Sequence, residues 1–368
     1  MKVKFFDLRV TNKSLRNQLN KNFNKLLTHG QFFLGPEVEE IEKKISNFLG
    51  KKYAVGLDSG SSALYLCLKS MGIKHGDEVI TTPLTWIITI NAIAKLGAIP
   101  IFVDVKDDLN INEDLIEEKI TSKTKAIVPM HYAGHMCNME KIHYIAKKHN
   151  LFIVEDAAQS FGASLNNKKS GHYSDACAFS MNPMKSLAGY GESGIALTNN
   201  LKVYNKLKLL RHAGTTSDPK KIITNNCLEI SLNHKMDSLN ASMLLVAFKN
   251  FPKKMKKKHK FANLYYKFLS KDVITQKLLK NEIHGRYVFP IIVNKRNQLR
   301  EYLSKNGIET KVFNAPLASE APVYKKYNNK DTPNAKKMIN KILILPCHEN
   351  LTEKQVIYVI NKINKYYD

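Results

Sequence analysis

Between about Tyr53 and Thr198, short runs rich in β-branched and aromatic residues alternate with longer runs whose apolar positions recur every three or four residues. The short runs Tyr53–Leu57, Glu78–Thr81, 99–105, 125–130, 151–156, 175–180 and Gly194–Thr198 predict strands, and the runs 62–71, 87–96 and Met139–Lys148 predict helices. Such alternation predicts an α/β fold with a mostly parallel central sheet flanked by helices. Chemistry is then expected just beyond the carboxyl ends of the strands. Past about Phe251 the pattern changes to a Lys-rich helical stretch followed by RYVFPIIV, NQLREYLSKNGI and ILILPCHENLTEKQVIYVINKI. This predicts a smaller C-terminal α+β domain, 251–368, after a large domain, 1–250. There is no internal repeat and no low-complexity segment.

Composition narrows the class. Of the 368 residues 43% are hydrophobic, enough to fill cores and to exclude a disordered chain. No apolar run reaches the length of about 20 residues that a membrane span needs. The start MKVKFFDLRV lacks a signal-peptide core, so a cytoplasmic protein with no membrane partner is expected. The five cysteines stand singly, with no CxxC pair and no histidine at metal-ligand spacing, which predicts neither a disulfide framework nor a zinc site.

A net charge of +25 raises nucleic acid as a partner. Only six of the positive residues are arginine and the lysines are dispersed, so no nucleic-acid partner is expected. The densest run, KKMKKKHK at 253–260, reads as a solvated helix face.

Three features carry candidate chemistry. In DSGSSALYLCL, Gly60, Ser61 and Ser62 stand where a strand gives way to a helix; small residues there let backbone amides approach a phosphate. In EDAAQ, Asp156 ends an apolar strand, where a carboxylate can hold a proton on a heteroaromatic nitrogen, and Gln159 follows one helical turn on. In FSMNPMKSLAGYGESG, Lys185 lies beyond a strand on a loop shaped by Pro183 and glycines. Each alone has an ordinary structural reading: an N-cap, a salt-bridge half, a surface charge. Together they match what pyridoxal 5'-phosphate requires: a held phosphate, a paired ring nitrogen and an amine for its aldehyde.

These segments, with FFLGPEVEEIEKKISNFLGKKYAVGLDSGSSAL, TPLTWIITINAIAKLGAIPIFVDV, VPMHYAGHMCNMEKI, SLNHKMDSLNASMLL and LPCHENLT, resemble the DegT/DnrJ/EryC1/StrS family of sugar aminotransferases, of aminotransferase fold type I. The resemblance covers nearly the whole chain. It implies that Lys185 carries the cofactor as a Schiff base, Asp156 pairs with the ring nitrogen and Gln159 contacts the ring hydroxyl. It further implies that Ser61, Ser62 and Ser180 bind the phosphate, that Trp86 lies over the ring, and that Asn233 reaches the partner's phosphate in a homodimer. His131 and His348 fall in recurring segments of the family. The implied donor is glutamate, and the implied acceptor is a keto sugar attached to a nucleotide.

Two departures stand out. GESG places Ser193 where the family has glycine, and 311–324, KVFNAPLASEAPVY, replaces a common His-Tyr-Pro substrate segment. The second favours, as an alternative acceptor, a small phosphorylated ketone such as dihydroxyacetone phosphate. A dehydratase relative would carry histidine in place of Lys185, and a non-catalytic regulatory or nucleic-acid-binding relative would lose cofactor residues.

Overall fold

The computed structural model describes residues 1–218, 223–327 and 332–368. Strands β1 (Tyr53–Leu57), β2 (Glu78–Thr81), β3 (Ile99–Phe102), β4 (Thr124–Ile127) and β5 (Phe152–Asp156) are followed by a hairpin, β6 (Ser164–Leu165) and β7 (Lys168–Lys169), and by β8 (Ala176–Ser180) and β9 (Gly194–Thr198). Seven of them form the central sheet in the order β1-β9-β8-β5-β4-β2-β3. Only β9 runs against its neighbours. Buried on both faces, these strands show the near-continuous apolar runs expected of parallel sheets.

The predicted run 99–105 overshoots, because the strand stops at Phe102. Asp104 is instead turned to helix work: its carboxylate accepts the amides of Asn334 and Ala335 at 2.8 Å each, at the start of a helix more than two hundred residues on. Nor does a helical turn follow Asp156, since the chain makes a turn closed by Ser160 N–H to the Ala157 carbonyl at 3.0 Å.

Helices α1 (Lys13–His29) and α2 (Pro36–Leu49) precede the sheet; α3 (Gly60–Ser70), α4 (Ile87–Lys95), α5 (Met139–Lys148) and α6 (Leu201–Arg211) connect or follow its strands. Leu64, Leu68, Ile93 and Leu207 pack on one face of the sheet, and Ile41, Ile45 and Leu244 on the other. After a β-ribbon, β10 (Thr215–Asp218) and β11 (Ile223–Cys227), the chain enters α7 (Ser238–Phe268). This 31-residue helix carries Pro252 within it. As far as Met255 it contributes Phe251 and Met255 to the core under the sheet, and beyond that Phe261 and Tyr265 to a separate C-terminal core.

That second core lies on β12 (Ile274–Thr275), β14 (Phe289–Ile292) and β15 (Ile342–Leu345), with α8 (Arg296–Lys305) and α10 (Glu353–Tyr367) against them. The short β13 (Glu282–Ile283) pairs back onto β6, and α9 (Pro333–Ile339) leads into β15. No helix of the described residues is long and apolar enough to cross a membrane.

Candidate active site

Because β1, β8, β5, β4 and β2 point the same way, their carboxyl ends share one edge of the sheet. Register does the rest. Gly194, the first residue of the reversed strand, pairs with Leu57 on one side and Ser180 on the other. The loop after β1 therefore sits beside the end of β8. A Cβ on Gly194 would stand 2.2 Å from the Ser59 carbonyl, and one on Gly60 would stand 2.5 Å from Ser180 Cβ. Glycine at both positions is a condition of this close approach.

The N-cap of α3 is Ser59, whose hydroxyl accepts the Ser62 amide at 3.1 Å. Among the described residues no side chain caps the Gly60 and Ser61 amides that open the helix, where the dipole favours an anion. Ser61 is exposed, while Ser62 is buried and bonds His234 Nδ1 at 2.9 Å. A cleft of about 660 Å³ opens from Ser61 and Ser62 past Asn91, Lys95 and Tyr324; neither Asp156 nor Lys185 lines it.

Asp156, at the end of β5, is buried. Its Oδ2 accepts the Thr89 hydroxyl at 2.7 Å and its Oδ1 accepts the Ala158 amide at 3.2 Å. Thr89 is itself within 2.7 Å of the Thr85 hydroxyl, so α4 fixes the carboxylate from across the sheet edge. Gln159 is buried with its carbonyl oxygen taken by the Ala133 amide at 2.8 Å, which directs its NH2 group elsewhere.

Lys185 lies on the loop between β8 and β9, held by its own amide to the Asn182 carbonyl at 2.9 Å. Its Nζ lies 4.4 Å from the centre of the Tyr287 ring. Burial lowers the amine to about 8, and the charges of Asp156 and Glu192 act against that fall. The buried Asp156 thus lies close enough for its charge to act on the half-buried Lys185.

Two expected residues stand apart. Trp86 is the N-cap residue of α4 and 61% exposed, which excludes a core role for it. Asn233 is exposed, with its side-chain oxygen on the Lys235 amide at 3.3 Å, and its neighbour His234 bonds Ser62 at the start of α3. Ser193 is buried and its hydroxyl has no partner among the described residues. The histidines have structural bonds: His131 to Glu155 at 2.9 Å, His348 to the Lys4 carbonyl at 3.2 Å. Thr89, Glu192, His234 and Tyr287 were not legible as site residues. Only Thr89 had a local signal, a hydroxyl in the first turn of a helix that starts at the strand-end edge.

A profile of the DegT/DnrJ/EryC1/StrS aminotransferase family matches residues 13–364. The chain belongs to this family. The aminotransferase is 33% identical to the pleiotropic regulatory protein of Geobacillus stearothermophilus, over 100% of its own length and 99% of that protein. It is 30% identical to the dTDP-3-amino-3,6-dideoxy-alpha-D-galactopyranose transaminase of Aneurinibacillus thermoaerophilus, over 99% of each chain. The crystal structure of S. venezuelae DesV superposes with a TM-score of 0.95 at 27% identity, over 100% of this chain and 99% of that one.

The aminotransferase is accordingly a pyridoxal-phosphate-dependent enzyme of fold type I. Its residues fit that cofactor: a glycine-tight anion cradle, a buried carboxylate held from two sides, and an enclosed amine lowered to about 8.

Proposed function

We propose that the aminotransferase moves an amino group from glutamate to the keto group of a nucleotide-linked sugar, for surface polysaccharide or glycan biosynthesis, and works as a homodimer in the cytoplasm. The observation that carries the chemistry is the enclosed Lys185 amine in the field of Asp156. The acceptor class rests on the relative named as a dTDP-sugar transaminase. The regulatory name of the Geobacillus relative does not count against catalysis, because every principal cofactor residue is present in this chain.

In this reading the Lys185 amine would hold the cofactor and would move the proton at the substrate carbon. An amine lowered to about 8 is still mostly protonated at neutral pH but releases its proton within about one pH unit of it, which brings it within reach of that task. Asp156, kept oriented by Thr89, would hold a proton on the ring nitrogen, and the Gln159 NH2 group, left free of the Ala133 amide, would serve the ring hydroxyl. Gly60, Ser61, Ser62 and Ser180 would bind the phosphate, Trp86 would lie over the ring, and Asn233 would serve the partner's phosphate. When bound, the cofactor supplies an electron-withdrawing ring that stabilises negative charge at the substrate carbon.

The test is spectroscopic. The holoenzyme should be yellow, bleach on addition of glutamate, and regain colour with a keto-sugar nucleotide. Failure to bleach overturns glutamate as donor. Recovery with dihydroxyacetone phosphate alone overturns the sugar acceptor in favour of the phosphorylated ketone.

A further inference from the structure

On the far side of the segment that carries Tyr287, the chain buries cationic and N–H-donating groups without a matching set of acceptors. Lys258, in α7, is 1% exposed, and the only acceptor of its Nζ among the described residues is the Tyr287 carbonyl at 3.1 Å. Arg286 is 2% exposed and donates from Nη1 to the Tyr266 hydroxyl at 2.8 Å. Its Nε has no partner among the described residues, and its backbone sits at φ 46°, in the left-handed region. His284, also buried, accepts the Arg286 amide on Nδ1 at 2.9 Å, so in the neutral ring Nε2 carries the proton. That N–H is unpaired as well.

Nearby carboxylates have other partners. Glu282 and Asp108 take His135, at 2.8 and 3.6 Å, and Glu349 pairs with Lys254 at 3.2 Å while its charge is shared with Lys258. The remaining neighbours add positive charge or none: His135 stacks on His284 at 5.8 Å, and His259 is held neutral by burial and by Arg286 and Lys258. Leaving the Arg286 and His284 N–H groups buried and unpaired costs on the order of 1–3 kcal/mol for each group, beside an ammonium with a single carbonyl acceptor. A bridging water would satisfy a donor but leave the positive charge. A single-atom anion accepts from several donors at once and neutralises it.

We propose that Arg286, Lys258 and His284 form a buried site for a small monovalent inorganic anion of the chloride class. The site lies behind Tyr287 and joins α7 to the strand that places this ring beneath Lys185.

Crystals of the holoenzyme soaked in sodium bromide provide the test. An anomalous bromine peak within hydrogen-bond reach of Arg286 Nε and His284 Nε2 is expected. A water alone, or no peak, overturns the site. In solution, the unfolding midpoint of the holoenzyme should rise saturably with chloride or bromide and not with gluconate at equal ionic strength. That increment should vanish in Arg286→Gln. Equal midpoints in all three salts overturn the proposal, as does an undiminished halide increment in the folded variant; if the variant does not fold, the bromine peak in the unaltered protein decides.

Discussion

The two halves of the active site are built differently. Around Asp156 and Lys185 the chain closes on itself: the carboxylate is held by Thr89 and by the Ala158 amide, and the amine lies over Tyr287 in an enclosed space. Around Ser61 the surface is open and apolar. Trp86 is exposed, and so are Ile230 at 86% and Leu232 at 68%, on the segment that carries Asn233. Exposed apolar groups clustered beside an anion cradle mark an interaction surface. The Asp156–Lys185 half is thus assembled within one chain, whereas the Ser61 half presents exposed apolar side chains.

The largest effect should come from the closed half. Lys185→Ala should reduce turnover by about 10⁴-fold with the fold retained, measured as single-turnover bleaching with glutamate. A variant that bleached at the normal rate would place the proton transfer on another residue. Next comes the seam between the halves. Gly60→Ala drives a methyl group to 2.5 Å from Ser180 Cβ and should cost about 1–3 kcal/mol of stability or cofactor affinity. Calorimetry on the apo and holo forms separates the two.

On the open half, Leu232→Asp should weaken self-association and cofactor retention together, read by sedimentation and by absorbance after dilution. Loss of cofactor without dissociation would break the link between this face and a second copy. The smallest effect is a shift in pH dependence. Glu192, which bonds Asn182 at 2.5 Å, supports the protonated form of Lys185. Glu192→Gln should therefore move the Lys185 titration, and the rising limb of single-turnover rate, below its value near 8, by a fraction of a pH unit.

Stability also has a pH signature, set away from the catalytic amine. The charged neighbours Asp108 and Glu282 raise His135 to about 9 against the burial that opposes it. A raised folded value means that this contribution is fully present below the unfolded value of about 6.5. It is lost as pH climbs through about 9. His135→Gln should flatten the stability profile between those limits.

Much of this was readable along the chain. Tyr53–Leu57, Glu78–Thr81 and Gly194–Thr198 form strands where their apolar runs said they would, because a strand buried on both faces needs an unbroken apolar sequence. Lys185 and Asp156 were legible because each follows such a run, and strand ends collect at one edge. Nothing local reveals that β9 runs backwards, though Gly194 could not otherwise sit between Leu57 and Ser180.

Local side-chain chemistry and periodicity therefore determined the fold class and pointed to the cofactor. Tertiary structure alone decided which groups tune one another: Thr89 on the Asp156 carboxylate, Tyr287 beneath the Lys185 amine, Glu282 on His135. The reason is physical. Periodicity records which face of an element is buried, while hydrogen bonds and charges act through space between residues that only strand register and helix packing bring together.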